Sequence, residues 1–175
     1  MKTIAYGFLC AGAALCALAA ATAQSPDPAP LDVRHAMQRQ VNPAIVAIWD
    51  VTNNALGDTG ELDGALVTPE QWDQIAISAA ALAAAGDGMA AAPRLIAADP
   101  GNWTTSEDEV PMAHVQESLD AAPDGYRAMA SAFAQSARAL EAAARARDAA
   151  QTGALVSGMD GECEACHSVY WYANY

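Results

Sequence analysis

Cys163-Glu164-Ala165-Cys166-His167 stands close to the end of a 175-residue sequence, and its spacing constrains what the rest of the chain must build. Residues three and four apart share one face of a helix, so two thiols and the imidazole of His167 project to the same side. In that arrangement two cysteines form thioethers with one haem and the following histidine coordinates its iron. Other uses of Cys-x-x-Cys fit less well. A redox dithiol of the thioredoxin kind follows a strand and opens a helix, whereas this motif lies late in the chain. A zinc site needs a second ligand pair, and His35 and His114 are the only other histidines. One haem c, attached through Cys163 and Cys166 with His167 as proximal iron ligand, is therefore expected.

The opening residues place that chemistry in a compartment. Met1-Lys2 is a short basic start, residues 4–21 are almost wholly apolar, and Ala21-Thr22-Ala23 forms a small-x-small cleavage site. Residues 1–23 thus read as a cleavable signal peptide, marginal in length for a membrane anchor and without a charge at the far end. Neither Cys10 nor Cys16 follows the small residue of a bacterial lipoprotein site. Both leave with the peptide, and the two cysteines that remain do not make a disulfide scaffold. Bacterial haem attachment takes place beyond the inner membrane, so the expected location is periplasmic. Cleavage also removes Lys2, the only lysine, and leaves seven arginines against 21 acids, a formal charge of −14. Such a chain repels nucleic acid and anionic lipid, and neither nucleic-acid binding nor membrane insertion is expected. The charge either keeps an alanine-rich bundle soluble or favours a basic docking surface on a redox partner.

Residues 24–31, with three prolines, read as a flexible leader, and residues 32–175 as one domain. Alanine dominates it, which favours helix. Four segments carry apolar residues at helical spacing. Residues 32–55 place Met37, Val41, Ile45, Ile48 and Thr52 on one stripe, with Trp49 beside it. Pro43 either kinks this helix or starts a fresh one capped by Asn42. Thr68-Pro69-Glu70-Gln71 is a capping box that opens a second helix, with Trp72, Ile75, Ala79 and Leu82 buried and Gly86 as its stop. A third helix, capped by Asp124 and reaching about Arg147, turns Tyr126, Met129, Phe133 and Leu140 inward. The fourth, residues 148–170, turns Val156, Met159, Cys163, Cys166, His167 and Tyr170 inward. Residues 96–122 form a proline-punctuated crossover with one short helix near 112–119, where Met112 and His114 are read as surface residues. Met89, Met129 and Met159 are read as core. The expected fold is all-α: an up-down-up-down four-helix bundle with a long connection between helices two and three.

This pattern resembles the cytochrome c′ family, the class II c-type cytochromes. The resemblance is carried by the four helices and by residues 163–170, which include an aromatic, Tyr170, three residues after the haem histidine. Trp49 and Trp72 add to it. It implies that a residue of the first helix faces the sixth coordination position of the iron. Met37, at about that position, is the candidate distal ligand; His35 competes only if the segment before Pro43 is not helical. The resemblance further implies that Arg34 pairs with a haem propionate and that Tyr170 packs against the haem. It also implies that two copies can pair through their first two helices, where Trp49 and Trp72 lie. Family members commonly carry Lys or Arg directly after the aromatic. Here Trp171 stands there, packing on the bundle end or shielding the haem edge.

No Ser/His/Asp set, phosphate-binding loop or second metal constellation appears in the sequence. The expected function is therefore not enzymatic. A methionine ligand would make a six-coordinate, low-spin electron carrier, whereas an open position would make a five-coordinate module that binds or sequesters small gases such as nitric oxide.

Overall fold

The structure, a computed structural model, describes residues 29–172. The signal peptide, and the leader up to residue 28, lie outside the described residues. The last residue of the expected leader, Leu31, already belongs to the fold: β1 (Leu31–Asp32) pairs in parallel with β2 (Leu95–Ile96). Two residues per strand are too few to show alternation, so this ladder left no trace in the sequence pattern.

The first long helical stretch comprises α1 (Val33–Ala36), a π turn (Met37–Val41) and α2 (Asn42–Thr52). The fresh helix foreseen at Pro43 is not realised. Asn42 does not cap a new helix; it is itself helical, and its N–H reaches back to the carbonyl of Met37. A proline inside a regular α-helix strikes the carbonyl four residues earlier and donates no hydrogen bond. The wider π turn just ahead of Pro43 accommodates both defects. Buried positions record the change of register: Ala36 and Val41 are five apart, before the spacing returns to three and four at Ala44, Ile45, Ile48 and Thr52.

α3 (Pro69–Ala91) opens with the capping box read from sequence. Gln71 donates its N–H to Thr68 Oγ1 at 3.2 Å, and Thr68 donates its own to Gln71 Oε1 at 2.8 Å. Gly86 does not end this helix. It is buried against α5 (Pro123–Arg145), where a Cβ would lie 2.9 Å from Ala134 Cβ and 3.0 Å from the Ala130 carbonyl oxygen. The glycine marks a close approach of two helices. Arg127 of α5 then donates to the carbonyls of Ala92 and Pro93, satisfying the carbonyl end of α3. By length and composition α3 could cross a membrane, but Trp72, Ile75, Ala79 and Leu82 pack into the bundle.

The crossover is tied down at several points. Asp32 accepts the N–H of His35 through Oδ1 and that of Asp99 through Oδ2, joining the start of α1 to the chain beyond β2. α4 (Met112–Ala121) buries Met112, Val115 and Leu119. Met112 is thus a core residue and not a surface one, because α4 lies on the bundle; His114 is half-buried. α5 starts at Pro123, after Ala122 and not after Asp124, whose carboxylate instead pairs with Arg127 in the first turn. It ends where Arg147 adopts a left-handed conformation, φ 54°, and Asp148 caps α6 (Ala149–Tyr170) by accepting the N–H of Gln151.

The result is the expected all-α four-helix bundle, with α4 added across its long connection. The α3–α5 contact is the most extensive, followed by α5–α6 and α2–α3. Small side chains permit this closeness: Ala79, Ala134, Ala137 and Ala144 are fully buried. Bulkier side chains project between α2, α5 and α6, and a cavity remains there.

Candidate functional site

Cys163, Cys166 and His167 occupy the last two turns of α6, and all three line one cavity of about 460 Å³. Cavities that hold cofactors typically fall between about 300 and 1,000 Å³. Both thiols are free and half-buried. Burial, with the neighbouring Cys163 adding to it, pushes the Cys166 thiol up to about 11. Burial also raises Cys163, as do the charges of Asp160 and Glu162. Near neutral pH both are therefore neutral thiols, which does not suit thiolate coordination of zinc. Among the described residues no group of three or more His, Cys, Asp and Glu side chains is placed to hold a metal ion.

His167 sits at the exposed rim. Its carbonyl accepts the N–H groups of Trp171 and Tyr172 at 2.9 and 3.0 Å, which closes α6. The two aromatic rings flank the imidazole at centroid distances of 6.3 Å for Trp171 and 6.2 Å for Tyr172. Tyr172 is held in turn by a hydroxyl bond to Glu164 at 2.6 Å. Half-buried Trp171 lines the cavity beside His167, so it has a place at the cavity edge as well as at the bundle end.

The facing wall comes from the first helical stretch: Met37 and Gln38 of the π turn, then Val41, Ile45 and Trp49. α5 contributes Tyr126, Met129 and Phe133, and α3 contributes Met89. Tyr126 donates its hydroxyl to Met89 Sδ at 3.0 Å. Burial raises its phenol far above the usual range, so it remains a protonated donor. Apart from a few polar tips and the carboxyl of Glu162, the lining is apolar.

Of the residues singled out in the sequence, Cys163, Cys166, His167 and Met37 are brought together. Arg34 is not among the lining residues. Its guanidinium donates to the carbonyls of Asn102 and Thr104 at 2.7 and 3.0 Å and lies 3.6 Å from Glu109, so it fastens the crossover. Tyr170 also misses the cavity: it is buried behind it, donating to the Ala122 carbonyl at 2.8 Å. Its ring meets Tyr126 edge-on at 5.3 Å, and Tyr126 is the tyrosine that reaches the cavity. His35 is exposed and away from the lining, and the segment before Pro43 is helical, so the condition on which it would compete is not met. Sequence reasoning placed Tyr126, Met129, Phe133 and Met89 inside the bundle without separating cavity wall from core. It passed over Glu162, whose only signal was its place next to Cys163.

The donor set fits a covalently held haem: two neutral thiols one turn apart, an imidazole after them, and an apolar cavity in front. A family model described as Cytochrome C' matches residues 57–171. That span contains Cys163, Cys166 and His167 and stops short of the helical stretch with Arg34 and Met37. No curated protein and no solved structure matches the chain.

Proposed function

From the premise that the chain belongs to the cytochrome c′ family, whose members carry covalently bound haem c, we propose that it is a periplasmic mono-haem electron carrier. The observation that carries this reading is the meeting of Cys163, Cys166 and His167 on the wall of one apolar cavity. Haem c supplies one-electron exchange between ferric and ferrous iron. Cys163 and Cys166 would hold it as thioethers, and His167 would offer a nitrogen to its iron. Met37, in the cavity wall, would offer a thioether sulfur to the iron, which suits electron transfer. Val41, Ile45 and Phe133 give the cavity an apolar wall, whose side chains reorganise little when charge changes.

The protein purified from cells with a working haem-ligation apparatus tests this directly. Its mature chain should begin at Gln24 and exceed its polypeptide mass by one haem. The ferric form should give a low-spin paramagnetic resonance signal, and the ferrous form should not bind carbon monoxide. Met37→Ala should convert it to a high-spin form that binds carbon monoxide. A high-spin wild type that binds the gas readily would replace electron transfer by gas binding or sequestration, nitric oxide included.

The formal charge of −14 on the exported chain supports a redox partner with a basic docking surface and argues against nucleic acid or a lipid surface. Homodimer formation through the first two helices would not use the tryptophans. Trp72 is 3% exposed and Trp49 faces the cavity. Ile77, 67% exposed beside an open groove with Pro43, Ala44 and Ala81, is the outward apolar residue there.

A further inference from the structure

We propose that Glu162 is a fixed charge in the cavity wall that holds down the reduction potential of the attached haem. The proposal rests on the haem reading above and concerns a residue that the attachment motif does not include. Among the described residues lining the cavity, Glu162 is the only carboxylate, and none is a lysine or an arginine. It directly precedes Cys163, so α6 sets it beside one attachment point. From α5, Ser136 donates its hydroxyl to Glu162 Oε1 at 2.5 Å. Glu162 Oε2 is shut off from solvent and has no hydrogen-bond partner.

A carboxylate oxygen in that position costs free energy unless a positive charge offsets it. Among the described residues no arginine pairs with it: Arg138 pairs with Asp87 at 2.8 Å, and Arg34 fastens the crossover. Asp160, on the same helix, adds more negative charge near Cys163. Ferric haem carries one more positive charge than ferrous haem. A carboxylate in the wall therefore favours the ferric form, and accepting one electron from an external reductant becomes harder.

The test compares haem-loaded wild type with Glu162→Gln, Glu162→Ala and Ser136→Ala, each checked for covalent haem by mass and absorption. Mediated redox titration at pH 7 gives the midpoint potentials. Both Glu162 variants should have higher potentials, the equilibrium constant for reduction rising about tenfold. One charge about 10 Å away at an effective dielectric of about 20 has that effect. Ser136→Ala breaks the same interhelical hydrogen bond but retains the charge, and should not raise the potential. Unchanged potentials in the Glu162 variants would overturn the proposal, as would an equal rise in Ser136→Ala, which would show a purely structural role. A wild type without covalent haem would overturn the haem reading itself and this inference with it.

Discussion

Gly86 and Gly88 stand two positions apart on α3, and the same substitution should act on them in opposite directions. A Cβ at Gly86 meets the side chain and backbone of α5 within about 3 Å, whereas nothing lies within 4 Å of one at Gly88. Gly86→Ala should lower stability by about 1–3 kcal/mol, the usual cost of overpacking. Gly88→Ala should raise it by about 0.5–1 kcal/mol, because alanine loses less backbone entropy in a helix. Urea denaturation of the two variants checks both signs. The thiols make a second prediction at this scale, for the chain before haem is attached. The Cys166 thiol titrates at about 11 when folded against an ordinary value of 9.0. Between those values the folded chain retains a proton that the unfolded chain releases, so stability is full below about pH 9 and falls as pH rises toward 11. Cys166→Ala should flatten that part of the urea midpoint against pH; an identical slope in both chains would reject the assignment.

The elements depend on a few local bonds at their ends. Thr68→Ala removes one half of the capping box and should cost about 1 kcal/mol, read as a lower urea midpoint. Asp32 does two things at once, capping α1 and holding Asp99. Asp32→Ala should therefore cost about 1–2 kcal/mol and should also speed hydrogen exchange at Asp99, far away in sequence. Thr68→Ala should leave exchange at Asp99 unchanged. At the first helical stretch the deciding device is the π turn ahead of Pro43, which brings Met37 and Gln38 to the cavity wall together with Val41.

Over the whole molecule, charge and packing pull in different directions. Alanines and Gly86 draw α3 and α5 together, while α2, α5 and α6 enclose a cavity between larger side chains. A formal charge of −13 on so small a chain repels itself. Raising the ionic strength from about 0.01 M to about 1 M shortens the screening length from about 30 Å to about 3 Å. The melting temperature should therefore rise with salt. Over the same range the rate of association with a basic redox partner should fall, since long-range attraction is screened too. Calorimetry and stopped-flow mixing measure the two effects separately.

Much of the local chemistry was legible along the chain, though the caps read at Asn42 and Asp124 were not formed. Steps of three and four positions from Cys163 to Cys166 and His167 put them on one face of any helix, and the stripes of four segments specified four helices with their inward sides. Thr68 announced the start of α3 because a cap bonds within its own first turn. Tertiary structure alone decided what each inward side meets. Periodicity marks Tyr126 and Tyr170 as equally buried, yet only the angles between helices give Tyr126 to the cavity and Tyr170 to the Ala122 carbonyl. Gly86 reads locally as a stop and serves as a contact, and Arg34 turns to a crossover whose path no short-range rule dictates. Hydrogen-bond rings and side-chain spacing act over one or two turns, whereas a cavity wall is assembled from residues more than a hundred positions apart.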